Sequence, residues 1–244
     1  MKRYVFLVLT ICLLSSCTTT ESIENNENPP GNESMEIKVV GPETPMVAPS
    51  NNKQAMLAYN TGTRLLRQNR FNEAEKHLKE AIELDPLFVD AMDHLGMVYR
   101  RQNRLREAEE IYLRSIEINK ENKVPYQNLA VVYRLQNRLD EAFELYKTLI
   151  QLDENDPEPY YGMGELYYSA GNYENAMSCF DKAIELYVNI KSPYVYDAFF
   201  YKGMIYYRIN DYDNALKYLE EARKGNPNNE TIERTISEIK NRKA

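Results

Sequence analysis

The sequence predicts an all-α fold, an α-solenoid of five helix-turn-helix repeats with a C-terminal capping helix. The first reason is the tripeptide Gln-Asn-Arg, which occurs at residues 68–70, 102–104 and 136–138. The second reason is that an apolar residue follows each copy, with an alanine three positions later. Recurrence at a fixed interval of 34 residues indicates stacked supersecondary units.

Two basic residues, Lys2 and Arg3, follow Met1 and precede an apolar run over residues 4–14 and two serines. A charged start, a short apolar stretch and small residues are typical of a secretory signal peptide, which we place at residues 1–16. The apolar run, about 11 residues, is shorter than the ~20 residues that a membrane-spanning helix needs.

The segment Leu14-Ser15-Ser16-Cys17 resembles the lipobox of bacterial lipoproteins. The resemblance implies that Cys17 is the first mature residue and the site of lipid attachment, and that acyl chains hold the protein at a membrane. Thr18, rather than Asp, follows the cysteine, which in that family implies the outer membrane, facing the periplasm. The cell surface is the alternative location, and an ordinary signal peptide with an unmodified cysteine is the alternative interpretation.

Residues 17–53 are rich in Thr, Ser, Asn, Glu and Pro, with six Glu against two Lys. Such a composition cannot bury enough apolar surface to fold, so we expect a disordered tether. A flexible coil of this length spans roughly 30–35 Å between its ends. The folded part would therefore stand off the membrane.

Residues 54–227 resemble an array of tetratricopeptide repeats. The five units start near Ala55, Val89, Lys123, Pro157 and Tyr196. The eighth residue of each unit is small, so two antiparallel helices can pack closely: Gly62, Gly96, Ala130, Gly164 and Gly203. Between the helices stands a residue that tolerates the left-handed backbone of a helix end: Asn69, Asn103, Asn137, Gly171 or Asn210. Five extra residues near 187–192 predict a longer second helix or exit loop in the fourth unit.

Residues 228–244 predict one more helix, because Ile232, Ile236 and Ile239 recur at helical spacing on a charged segment. The terminal unit of a solenoid needs a cover that is apolar inside and polar outside. We therefore interpret this segment as the capping helix.

The resemblance also implies a partner-binding groove. In tetratricopeptide repeat proteins, positions two, five, nine and twelve of the first helices line a concave groove that holds peptides or partner helices. In units four and five these positions are Glu158, Tyr161, Glu165, Tyr168, Asp197, Phe200, Met204 and Tyr207. Aromatic side chains dominate binding hot spots, and the acidic neighbours favour a basic protein or peptide. The alternative is that these rings pack between repeats or line a solvated surface.

Arg70, Arg104 and Arg138 recur at the repeat period, so stacking should align them along one edge. This basic ridge would suit anionic lipid headgroups or an acidic face of a partner. The alternative is that the three arginines stay solvated and interact with the negative ends of helices.

Composition excludes several classes of function. The net charge of −7 excludes a generally basic nucleic-acid binder. With two His, three Cys and no nucleophile elbow, phosphate loop or HExxH motif, we expect no catalytic residues, no metal and no cofactor. Cys12 leaves with the signal peptide and Cys17 is acylated, so we expect Cys179 to remain as an inert thiol in the core.

We therefore expect a membrane-anchored tetratricopeptide repeat lipoprotein that acts as a protein-interaction adaptor or scaffold in cell-envelope assembly. Two alternatives stay open: a small-ligand-binding partner of a solute transporter, and a structural lipoprotein that associates with itself. The identity of the partner and the oligomeric state do not follow from the residues.

Overall fold

The computed structural model describes residues 50–243, and within that range the chain folds into eleven helices joined by loops, as expected for an all-α repeat protein. The helices are α1 Lys53–Arg67, α2 Phe71–Leu84, α3 Val89–Arg101, α4 Leu105–Ile118, α5 Lys123–Leu135, α6 Leu139–Leu152, α7 Pro157–Ser169, α8 Tyr173–Asn189, α9 Val195–Arg208, α10 Tyr212–Gly225 and α11 Glu230–Lys243. The predicted signal peptide, the predicted lipid site Cys17 and most of the predicted tether lie outside the described residues.

The described chain divides into two compact units, residues 50–162 and residues 163–243, and the division falls inside α7. The first unit contains α1 to α6 and the start of α7, and the second contains the remainder of α7 and α8 to α11. Among the helices of residues 50–243, none combines the length and the apolar character that crossing a bilayer requires.

The turn inside each repeat is closed by a residue with a left-handed backbone. The φ angles are 58° at Asn69, 59° at Asn103, 59° at Asn137, 74° at Gly171 and 62° at Asn210. In the first turn the N–H of Arg70 donates to the carbonyl of Leu65 at 3.0 Å, the bond that closes a Schellman motif. The five turn residues predicted from the sequence are therefore confirmed.

The second helices of the first three repeats end differently, at a polar residue with an extended backbone. The side chains of Asp85, Asn119 and Asp153 each accept a hydrogen bond, of 3.0 to 3.1 Å, from the N–H two positions further on. Such Asx turns reverse the chain without help from proline. This second periodic signal explains how repeats two and three close although Lys120 and Glu154 stand where the first repeat has Pro86.

Small residues allow the two helices of a repeat to approach closely. A Cβ atom at Gly96 would lie 2.5 Å from the ring of Tyr112, and one at Gly203 would lie 2.7 Å from Leu219. Neither distance is compatible with a side chain at the glycine, so the absence of a Cβ atom allows the core residue of the second helix to fill the space.

The fourth repeat differs as the sequence predicts. Helix α8 has 17 residues, whereas α2, α4, α6 and α10 have 14 each. It ends at Asn189 and is followed by a second left-handed residue, Lys191, with a φ of 54°, and the N–H of Ser192 donates to the carbonyl of Tyr187 at 2.9 Å. The insertion therefore lengthens the second helix. It also gives this helix the left-handed C-terminal turn that follows the first helix of each repeat.

Helix α11 covers the last repeat. Ile232, Ile236 and Ile239 are at most 2 % exposed and form one core cluster with Leu219 and Ala222 of α10. The predicted stripe of isoleucines is thus buried, and the opposite side of the helix is charged. The capping helix is confirmed.

Candidate partner-binding surfaces

The predicted groove residues fall into both compact units. Glu158 and Tyr161 belong to the unit that ends at residue 162. The other six, which are Glu165, Tyr168, Asp197, Phe200, Met204 and Tyr207, belong to residues 163–243. The second unit can therefore be described as a candidate site by itself.

In this unit the rings gather around Tyr201, which is 8 % exposed. Its ring stacks on Phe180 with the centroids 5.1 Å apart and the planes at 10°. Tyr168 and Phe200 both meet it edge-on, at 5.3 Å and 5.5 Å. We call Tyr168, Phe180, Phe200 and Tyr201 the aromatic cluster. Two of its members, Tyr168 and Phe200, are half-buried, so part of their surface can contact another molecule.

A carboxylate lies beside the aromatic cluster. The Oη atom of Tyr201 donates a hydrogen bond to Glu165 at 2.9 Å, which fixes the acid next to the rings. A hydrogen bond with the phenol of Tyr168 raises the pKa of the exposed Arg208 guanidinium above its usual value. The surface of the cluster is thus bordered by one acidic and one basic side chain.

The fifth-repeat residues of the predicted groove are partly covered by the protein itself. Phe200, Met204 and Tyr207 pack against the core cluster that α11 completes. The hydroxyl of Tyr207 donates to Glu238 of α11 at 2.8 Å. As a result, these three residues contribute to the attachment of the capping helix, and only part of each is left for a partner.

The sequence reasoning did not single out Tyr201, although it is the centre of the aromatic cluster. A signal was present, because the corresponding sixth position of the other repeats holds no large aromatic side chain. Those residues are Asn60, His94, Asn128 and Gly162. The role of α11 in covering Phe200 and Met204 also went unpredicted, since helical spacing does not indicate which face a capping helix contacts.

The basic ridge is engaged by carboxylates. Arg70 pairs with Glu73 at 2.5 Å. Arg104 contacts Glu75 of the preceding repeat at 2.7 Å and Glu107 at 2.9 Å. Arg138 repeats this arrangement with Glu109 at 2.8 Å and Glu141 at 2.9 Å.

Two of these arginines also lie over tyrosine rings, Arg104 at 4.3 Å from Tyr99 and Arg138 at 4.2 Å from Tyr133. Each therefore joins two neighbouring repeats and has its charge compensated locally. The use of the ridge as an anion-binding surface stays a prediction, and these contacts give its arginines a structural role.

Within residues 50–243, the cysteine and the two histidines are placed as follows. Cys179 is fully buried in α8. His77 lies 3.2 Å from Glu80, and His94 Nδ1 lies 2.9 Å from the carbonyl of Asp90. Across residues 50–243, no three His, Cys, Asp or Glu side chains converge as metal ligands.

The matches to known protein families fall within the repeat-containing part of the chain. Three family models match the chain: one described as TPR repeat over residues 131–171, and two described as tetratricopeptide repeat over residues 59–122 and 156–227. A search of curated proteins finds no match.

Solved structures with the same fold are numerous. The structure from a functional characterization of Pseudomonas aeruginosa pilF is 20 % identical with a TM-score of 0.67, over 78 % of this chain and 86 % of that one. YrrB, a TPR protein with an unusual peptide-binding site, is 23 % identical with a TM-score of 0.56, over 77 % and 94 %. A chain of the APC/C hetero-tetramer Cut9-Hcn1 is 18 % identical with a TM-score of 0.66, over 78 % of this chain and 37 % of its own length. At these identities the likeness concerns the fold.

Proposed function

Because this chain belongs to the tetratricopeptide repeat family, we propose that it is a membrane-anchored adaptor or scaffold that holds a protein or peptide partner in the cell envelope. Proteins of this family generally mediate protein–protein interactions and are typically not enzymes. The proposal adds to this the lipid anchor at Cys17, the outer membrane facing the periplasm, and a partner-binding surface in residues 163–243.

The observation that supports this surface best is the aromatic cluster with Glu165 beside it. Tyr168 and Phe200 offer ring surface to a partner. Their side chains lose little conformational entropy on binding, because Tyr201 already holds both rings. Stacking on Phe180 and the hydrogen bond to Glu165 fix Tyr201 in turn. A surface arranged before binding improves affinity by lowering the cost of ordering.

The charge beside the rings favours a basic residue in the partner. A Lys or Arg side chain placed against Tyr168 would pair with Glu165 and lie over a ring face, a combination worth about 1–2 kcal/mol once water is excluded. Arg208 would oppose a purely cationic ligand. We therefore expect a peptide in which one basic side chain alternates with apolar or acidic residues.

The anchor would raise the encounter rate with partners at the same membrane. A lipidated Cys17 and the predicted tether that follows it would confine the repeats to within a few tens of Å of the bilayer. Confinement of this kind raises the effective concentration of a membrane partner without any new contact.

The test is affinity capture of the full-length lipidated chain from detergent-solubilised membranes of the native cell. Tyr168→Ala should remove the enriched partner, and Glu165→Gln should weaken its capture and make the remainder less sensitive to salt. The matched control is Tyr194→Ala, because Tyr194 is also a half-buried tyrosine of the second unit but contacts Tyr187 instead of the cluster. Equal capture by Tyr168→Ala and by the unmodified chain would show that the cluster is not the binding surface. Separately, Cys17→Ser should release the protein from the membrane fraction.

A further inference from the structure

Helix α1 has one side that is exposed along its whole length. Residues spaced alternately four and three apart lie on one face of a helix, and in α1 all five residues of such a series are exposed. They are Lys53, Leu57, Asn60, Arg64 and Arg67. We call these five residues the α1 face. The face includes positions three, six, ten and thirteen of the repeat, so it does not overlap with the predicted groove positions.

In later repeats the residues equivalent to Leu57 and Arg64 are apolar or small and are buried. At position three, repeats two, three and five have Ala91, Pro125 and Ala198, and at position ten they have Val98, Val132 and Ile205. The first helices of these repeats pack against the helix that precedes them, α3 on α2, α5 on α4 and α9 on α8. Among residues 50–243 no helix precedes α1. The α1 face is therefore the side of the first repeat that a preceding repeat would cover.

The charge of the α1 face has a single sign. Helix α1 contains no Asp or Glu, and its charged residues are Lys53, Arg64 and Arg67. None of the three pairs with a carboxylate of residues 50–243, in contrast to Arg70 and Arg104 of the basic ridge. In the middle of the face Leu57 is 70 % exposed. The end of a solenoid must be polar to remain soluble, but solubility requires neither a single sign of charge nor an exposed leucine.

The other terminal helix, α11, has a different surface. It carries three Glu as well as four Lys or Arg. Its Lys240 lies 3.6 Å from Glu220, and its Lys243 pairs with Asp213. A terminal helix of this protein can thus be polar with mixed and paired charges, so the unpaired basic face of α1 needs another explanation.

The chain enters the first repeat beside the α1 face. Ser50 Oγ donates a hydrogen bond to the carboxylate of Asp85 at 2.5 Å, and Asn52 Nδ2 donates to the carbonyl of Leu84 at 2.9 Å. These bonds hold residues 50–52 directly before the first residue of the face. The predicted tether reaches the folded chain at this point, and a coil of its length spans roughly 30 Å. If the chain is lipidated as proposed above, the α1 face is within reach of the bilayer.

We propose that the α1 face docks on the anionic headgroups of the membrane, with Leu57 inserted between them. Helices that lie in a membrane interface combine basic side chains with apolar ones, and each Lys or Arg at an anionic surface raises binding by roughly fivefold. The face extends over about 21 Å along the helix, which suits several headgroups better than one compact anion. The proposal rests on the lipid anchor for proximity, whereas the charge and the exposed leucine belong to the described chain.

The test places the full-length lipidated chain in vesicles whose lipids carry a nitroxide quencher near the headgroups. A fluorophore is attached at Asn60→Cys, in the centre of the α1 face, and in a separate preparation at Glu110→Cys, an exposed position of α4. The native Cys179 is fully buried and does not compete for the label. We expect quenching at position 60 when phosphatidylglycerol is added to phosphatidylcholine, and none at position 110. A salt concentration of ~1 M should abolish the quenching while the chain still floats with the vesicles, because salt screens charges but does not release acyl chains.

Charge variants are compared in the Asn60→Cys background. Arg64→Gln should lower the ratio of docked to undocked chain roughly fivefold. Arg101→Gln is the matched control, because Arg101 is an exposed residue at the end of α3 and its loss changes the net charge equally. It should leave the quenching unchanged. Leu57→Ser should reduce the quenching without changing its dependence on salt, and neither α1 variant should shift the melting temperature, since both side chains are exposed.

Equal quenching at position 60 in both lipid compositions, or no quenching while the chain floats with the vesicles, would overturn the proposal. Equal losses in Arg64→Gln and Arg101→Gln would do the same. Quenching that follows protein density rather than phosphatidylglycerol content would show that a second copy covers the face, and protection of position 60 only in native membranes would indicate an acidic protein. Failure to float with phosphatidylcholine vesicles contradicts the lipid anchor alone. In that case an excess of phosphatidylglycerol vesicles should still quench position 60.

Discussion

The two compact units use the same helical repeat but join their helices by different chemistry. In residues 50–162, Arg104 and Arg138 bridge successive repeats through carboxylates and tyrosine faces. In residues 163–243, rings make the corresponding contacts. Tyr201 stacks on Phe180 of the preceding repeat, and Tyr206 stacks on Tyr218 within the fifth repeat with the planes at 7°. The comparison shows that the repeat specifies where helices meet, while the contact residues are free to be ionic or aromatic.

Because of this difference, the two units suit different kinds of partner. In a surface ion pair each charge is neutralised by its partner, so little charge is left to bind a ligand. The basic ridge is an example. Aromatic contacts leave ring edges and faces exposed after packing, as at Tyr168 and Phe200. Lys202 is the exception in the second unit, because it is buried between Asp181 and Tyr218.

The largest effect should come from removing a ring of the second unit. Phe180→Ala deletes a fully buried side chain that contacts Tyr201 and fills the space at Gly164. We expect the free energy of unfolding to fall by about 3–5 kcal/mol, measured by urea denaturation. Phe143→Ala, at a half-buried ring of the first unit, is the control and should cost much less. A similar loss in both variants would mean that the units do not differ in their dependence on rings.

A smaller effect is expected on the pH dependence of stability, and it comes from Asp93 in the first unit. Burial raises the pKa of Asp93 to about 7, and the hydrogen bonds from Ser115 and Asn122 only partly oppose this. The folded chain therefore binds more protons than the unfolded chain between about pH 4 and pH 7, so this residue makes stability fall as the pH rises through that window. Thermal unfolding at several pH values should show this slope, and Asp93→Asn should remove it. An unchanged slope in the variant would mean that Asp93 is already ionised in acid.

The smallest effect is expected for the ion pairs that define the first unit. Arg104 and Glu75 are partly exposed, so their coupling in a double-mutant cycle with Arg104→Gln and Glu75→Gln should be at most about 1 kcal/mol. The coupling should disappear in ~1 M salt, where charges are screened beyond roughly 3 Å. The stack of Phe180 on Tyr201, measured in the same way, should not respond to salt. A coupling at Arg104 that survives high salt would indicate that the ring of Tyr99, rather than the carboxylate, holds the arginine.

The sequence predicted the parts of this fold that depend on neighbouring residues along the chain. Asn69 and its equivalents were identified because tolerance of a left-handed backbone is a property of the residue itself. The isoleucines of α11 were identified because helical spacing is visible in one segment. The repeat period supplied the register of both.

The parts that sequence reasoning missed depend on which side chains meet across repeats. Arg104 was predicted to be part of an anion-binding ridge, because Glu75, which lies 29 residues earlier in the chain, becomes its neighbour only after stacking. Tyr201 was overlooked because its importance arises from contacts with Tyr168, two helices earlier.

Site-specific photo-crosslinking can show whether a partner binds at the aromatic cluster. A photoreactive phenylalanine analogue is placed at Tyr168, and in a separate strain at Tyr194, in the full-length chain in native cells. We predict one defined protein adduct at Tyr168, lost on adding Glu165→Gln, and no adduct at Tyr194. Adducts of equal yield at both positions, or none at Tyr168 while the protein is at the membrane, would contradict it.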